Sequence, residues 1–165
     1  MQSVASCTPA FRGVTHPLAL ARALPLESVA PTLCSTCRLR TLCLPGSMQA
    51  AELKSIDELV YTRRRIHPGE HLFHAGDRCD ALYAFRSGSF KSYVTTSDGR
   101  TQVTGFPMAG DLAGMDAMGS DTHTQSLVAL DTGEACIVPY GRLQEQARRY
   151  PALQQQISRI MSREI

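Results

Sequence analysis

Cys34-Ser35-Thr36-Cys37-Arg38-Leu39-Arg40-Thr41-Leu42-Cys43 places three thiols in ten residues, spaced C-x2-C-x5-C. No other stretch restricts the chain as tightly. Thiolates are soft ligands that suit zinc or iron–sulfur clusters. A fourth thiol, Cys136, lies far downstream in the apolar run Ala135-Cys136-Ile137-Val138. Three ligands from a loop and one from the body of a domain would tie the loop down. The pattern reads as a metal-cluster sensor rather than an enzyme active site. Spacing alone leaves zinc and an iron–sulfur cluster open, although structural zinc more often uses two close cysteine pairs and only one C-x2-C occurs here.

Compartment bears on that reading. The short apolar run Pro17–Leu24 is interrupted by Arg22 and has no basic region ahead of it, so a secretory signal is not expected. No run approaches the ~20 apolar residues of a membrane span. A cytoplasmic chain is expected, where clustered thiols bind metal more often than they form disulfides. Net charge is +2, from 17 basic and 15 acidic residues, too balanced to argue for nucleic acid or a membrane surface. At 165 residues the chain has room for one domain with a real core.

Residues 1–33 show weak periodicity and read as a loose arm, with one helical turn around Leu18–Leu24 and a spare thiol at Cys7. Residues 34–47 form the cysteine loop. Ser47 is a candidate N-cap for a helix from Met48 to about Leu59, with Leu53, Ile56 and Val60 on one face. From Tyr61 glycine turns recur at Pro68-Gly69, Gly76-Asp77, Ser87-Gly88, Asp98-Gly99 and Gly110-Asp111. Between and after them lie apolar runs at 81–85, 90–94, 102–106, 126–130 and 134–138. Short strands with glycine turns predict an antiparallel sandwich or small barrel. Pro139 precedes a short helix through Leu143 and Ala147, and Pro151 opens another with Leu153, Ile157, Ile160, Met161 and Ile165 as its apolar stripe. No stop signal follows that stripe, so the helix is expected to be cut within a longer one.

Helix, glycine-punctuated roll and terminal helix together resemble the sensory half of a CRP/FNR-superfamily transcription regulator, in its fumarate and nitrate reductase regulator branch. The cysteine loop followed by Leu44-Pro45 carries the likeness. So do Arg86-Ser87-Gly88-Ser89-Phe90-Lys91-Ser92, Gln102-Val103-Thr104-Gly105-Phe106, Gly110-Asp111-Leu112, Ala135-Cys136-Ile137-Val138-Pro139 and Arg159–Ile165. The resemblance covers residues 34–165. It implies an α+β fold: a helix plus an antiparallel, cyclic-nucleotide-binding-like β-roll (jelly-roll) over 48–150, with flanking helices and the start of a dimerisation helix at 151–165. It implies a [4Fe–4S] cluster held by Cys34, Cys37, Cys43 and Cys136, degraded by oxygen. Dimerisation would use Ile157, Ile160, Met161 and Ile165. DNA and RNA polymerase would be partners of the full-length homodimer only, because no helix-turn-helix domain is present in these residues. Arg38, after the second ligand, replaces the small polar residue common in the family.

Other chemistry is expected to be absent or secondary. Arg38 and Arg40 either offset the cluster's negative charge or point to water. Cys79 reads as a free structural or surface thiol. His71 and His74 should sit on opposite faces of a strand, and with His67 read as solvated. Nucleotide-binding relatives carry an Arg-Ser-Ala-type phosphate cassette, whereas the matching Gly119–Ser126 segment has no arginine and adds Asp121. A cyclic-nucleotide module and a structural zinc domain are the alternatives. No catalytic motif is visible, so an enzyme is not expected.

Overall fold

The computed structural model describes residues 33–58 and 62–162. Cys7, Val60, Ile165 and the turn around Leu18–Leu24 lie outside them. The cysteine loop comprises a 3-10 turn at Cys34–Thr36 and one helical turn, α1 (Arg40–Cys43). Helix α2 (Ala50–Asp57) follows, then the strands β1 (Thr62–Ile66), β2 (His71–Phe73), β3 (Ala81–Ser87), β4 (Phe90–Thr95), β5 (Thr101–Gly105) and β6 (Leu112–Ala113). After a 3-10 turn at Met115–Ala117 come β7 (Ser126–Ala129), β8 (Gly133–Pro139), α3 (Tyr140–Arg149) and α4 (Pro151–Met161). No helix among the described residues is long and apolar enough to cross a membrane.

Two four-stranded antiparallel sheets make the roll, in the orders β1-β8-β3-β6 and β2-β7-β4-β5. Their facing side chains form the core: Ile66, Leu72, Phe73, Phe85, Phe90 and Leu127 are all buried. Phe85 and Phe90 stack at 3.9 Å across the turn that takes the chain from one sheet to the other. Burying each such ring is worth about 1.5–3 kcal/mol. That turn sets Gly88 directly against Gly133, the first residue of β8. Gly88 has φ +91°, which disfavours any side chain, and a Cβ there would meet Gly133 Cα at 2.6 Å.

Helix α2 is capped at Gln49 rather than Ser47: the Gln49 amide donates to Glu52 Oε2 at 2.7 Å, closing the first turn from within. Leu53 and Ile56 face inward, as their spacing predicts. They join Leu44, Met48, Ala147 and Leu153 in a second apolar cluster, which binds α2, α3 and α4 to the cysteine loop.

Candidate functional site

Strand β8 presents the fourth thiol. Side chains alternate between the faces of a strand. Ala135 is fully buried in the roll core, so Cys136 lies on the outer face, where Cys34 and Cys43 pack against it. Its cross-strand partner on β3 is Ala84, whose single methyl leaves space above the sheet. The cysteine loop covers that space. Ser35 N donates to Asp57 Oδ1 at 2.9 Å, tying the loop to α2. Arg40 Nη1 donates to Ser35 O at 3.4 Å, and Gln156 Nε2 of α4 donates to Leu42 O at 3.5 Å. Leu42 also lies over Gly110, where a Cβ would meet it at 2.6 Å.

Cys34, Cys37, Cys43 and Cys136 therefore line one cavity of about 80 Å³, several times the space that a single water needs. Leu82, Ala84 and Leu112 wall it on the sheet side, and Leu153, Ile157 and Ile160 on the α4 side. The five described cysteines are all free thiols. Burial pushes Cys34 up to about 12, and nearby Cys136, Asp57, Cys37 and Cys43 push the same way. Burial, with Cys37 and Cys136, raises Cys43 to about 11, against the pull of Arg86. Cys136 is raised by burial and partly held down by Arg86.

Arg86 is the cation that bonds the thiols at this site. Its Nη1 donates to Cys37 Sγ at 3.0 Å, and it also reaches Cys136. Burial opposes its charge, but the bond to Cys37 and the thiol charges outweigh this and hold its pKa above the ordinary value. Arg86 Nε is buried without a hydrogen-bond partner among the described residues. The sequence carried a signal for this role: Arg86 stands two residues beyond Ala84 on β3, on the face that Cys136 shares. That signal becomes readable only once β3 is paired with β8. Of the loop arginines, Arg38 is exposed, as the second of the two expectations had it, and Arg40 lines the cavity while holding Ser35.

Other candidates sit elsewhere. Cys79 is buried, with its Sγ 3.8 Å from Gly114 O, and is a packing thiol. His71 and His74 do not separate onto opposite faces: β2 is irregular at Phe73, and the two rings stack at 4.3 Å. Among the described residues no three His, Cys, Asp or Glu side chains are grouped to hold a metal ion. Leu153 and Ile160 of α4 are buried within the chain, Ile157 is half-buried beside them, and Met161 is exposed.

The profile of the cyclic nucleotide-binding domain family matches residues 63–150. The "Fumarate and nitrate reduction regulatory protein" of Vibrio cholerae is 42% identical over 132 residues, covering 80% of this chain and 53% of that protein. The protein of the same name from Escherichia coli K12 matches to the same extent. The chain thus spans about half the length of these curated relatives. The catabolite activator protein of Thermus thermophilus superposes with TM-score 0.62 at 21% identity, over 72% of this chain and 55% of that one.

Proposed function

The chain belongs to the cyclic nucleotide-binding domain family, with the CRP/FNR regulators, and from that premise we propose that it is the sensory part of an oxygen-responsive transcription regulator. One observation carries the reading: four thiols from a loop and a strand meet at a single cavity whose far wall is α4. Cys34, Cys37, Cys43 and Cys136 would hold a [4Fe–4S] cluster. The donor set fits the group: four soft ligands, an apolar shell, and an orphaned buried Arg86 N–H beside them. When bound, the cluster supplies an oxygen-labile centre.

The chain's own residues supply the coupling. Arg86 sets a fixed positive charge against thiolate charge. The apolar walls limit water. Ligation holds the loop (34–47) onto β8 of the helix-and-roll body (48–150). The loop in turn holds α4 (Pro151–Met161) through Gln156 and the Leu153–Ile157–Ile160 face. Releasing the loop removes both contacts. This biases a two-state helix without moving the roll. In the full-length regulator, working in the cytoplasm, that bias would govern homodimerisation and, through a further domain, contacts with DNA and RNA polymerase. The role is regulatory rather than enzymatic.

A single zinc ion is the weaker alternative. Four thiolates also suit tetrahedral zinc, but structural zinc more often uses two close cysteine pairs and only one C-x2-C occurs here. The test is purification without oxygen, followed by iron and sulfide analysis and a visible spectrum. A broad absorption that bleaches in air, with equal iron and sulfide, is expected. A colourless protein holding one zinc would overturn the reading.

A further inference from the structure

A second cavity, of about 470 Å³, opens between β4, β5 and β7 and the Leu112–Asp116 segment. Among the described residues its wall carries no Lys, Arg or His, and its charged residues are Asp111 and Asp116. Asp116 is nearly buried and gathers four donors. Thr124 N lies 2.8 Å and Gln125 N 3.3 Å from its Oδ2, and the Thr124 hydroxyl 3.3 Å from the same oxygen. His123 Nδ1 lies 3.1 Å from its Oδ1, on a ring buried by stacking on Phe73 at 3.6 Å. Two consecutive backbone amides aimed at one oxygen form a concavity of the kind that binds anions. Here the anion is a side chain of the same protein.

We propose that Asp116 is an internal anion: its carboxylate fills the Thr124–Gln125 amide concavity and keeps the roll closed to phosphate-bearing ligands. The segment that makes this concavity lies within Gly119–Ser126, the stretch matching the phosphate cassette of nucleotide-binding relatives. A free phosphate would have to displace a tethered carboxylate, whose effective concentration is at least millimolar. It would also meet the negative charge of Asp116 with no arginine in the segment to offset it. Asp121, the acid that the sequence draws attention to, is not one of the groups at the concavity; its backbone carbonyl accepts Cys79 N instead. The effector input of the roll is therefore satisfied from within, and the cysteine loop is left as the route for a signal. This holds whatever the cysteines bind.

The test is anion rescue in the full chain. Asp116→Ala should melt below the unaltered protein. Inorganic phosphate, titrated against sodium chloride at matched ionic strength, should raise the variant's melting temperature saturably. At ten times its dissociation constant it should shift the variant's unfolding equilibrium about tenfold more than that of the unaltered chain. The difference matters because phosphate stabilises folded proteins generally. Equal responses in both proteins would overturn the proposal. If Asp116→Ala does not fold, Asp116→Asn, which keeps the shape without the charge, serves instead. It should melt below the unaltered chain, and equal melting temperatures would show that the charge does nothing there.

Discussion

Replacing Cys34, Cys37, Cys43 or Cys136 with Ser should each strongly reduce iron and sulfide per chain, whereas Cys79→Ser should not, because Cys79 only packs beside Gly114 O. Full iron content in Cys136→Ser would contradict the three-plus-one arrangement. Arg86→Ala removes the cation bonded to Cys37, and groups that orient and balance ligands in this way typically change metal affinity by about 10–100-fold. Iron retention during dialysis against a chelator should fall, and Arg86→Lys should restore charge without the forked geometry and recover only part. The thiols also set an alkaline limit. In the apoprotein Cys34 and Cys43 titrate near 12 and 11 rather than at 9.0. A raised thiol pKa means that folding favours the neutral form. The stability it contributes is full below pH 9 and is lost as pH rises through 11 to 12. The urea midpoint of the apoprotein should hold up to about pH 9 and fall above it; a rising midpoint would refute the sign. At this scale the sequence disclosed the thiols, since spacing is local. It hid Arg86 and Asp116, because their roles depend on strand pairing and on loops closing over 49 and 9 residues of separation.

The glycine turns place the strands, and Gly133 at the start of β8 packs against the turn between β3 and β4. A Cβ there would lie 2.7 Å from Ser87 O and 2.9 Å from Phe90 Cζ. Gly133→Ala should cost about 1–3 kcal/mol by overpacking. Gly141, on the first turn of α3 with nothing within 4 Å, should behave oppositely. Gly141→Ala should gain up to about 1 kcal/mol through the lower helix entropy cost of Ala. Urea melts of the two variants should therefore move apart, and like signs would show that steric crowding at the β3–β4 turn is not limiting. Five of the eight strands follow from apolar runs between glycine turns. β1 does not, because Thr62-Arg63-Arg64-Arg65-Ile66 has only one core-facing apolar residue within a charged edge strand. Its arginines are used in ion pairs, Arg63 with Glu134 and Arg64 with Glu70. β2 is three residues long and β6 two, too short for alternation to register.

Across the whole molecule the apolar stripe of α4 faces two ways. Leu153 and Ile160 are buried against the chain itself, Ile157 packs beside them, and these three residues wall the thiol cavity. A helix used in this way has little left for a partner. Met161, 36% exposed, is the main apolar residue of α4 that stays available among those described. The helix has eleven described residues, about three turns at 3.6 residues each. A stable coiled coil needs roughly three to four heptads. The chain of 165 residues should therefore sediment mostly as monomer at micromolar concentration, even without oxygen and with its iron intact. A version carrying further helical residues after Ile165 should shift towards dimer. Met161→Glu separates the possible interfaces. In the longer version it should abolish association, since it buries a charge in the seam, while leaving iron content unchanged because Met161 does not line the thiol cavity. A tight dimer of the 165-residue chain that survives Met161→Glu would place the interface on the roll, and the coupling from cysteine loop to α4 would then have to act on something other than dimerisation.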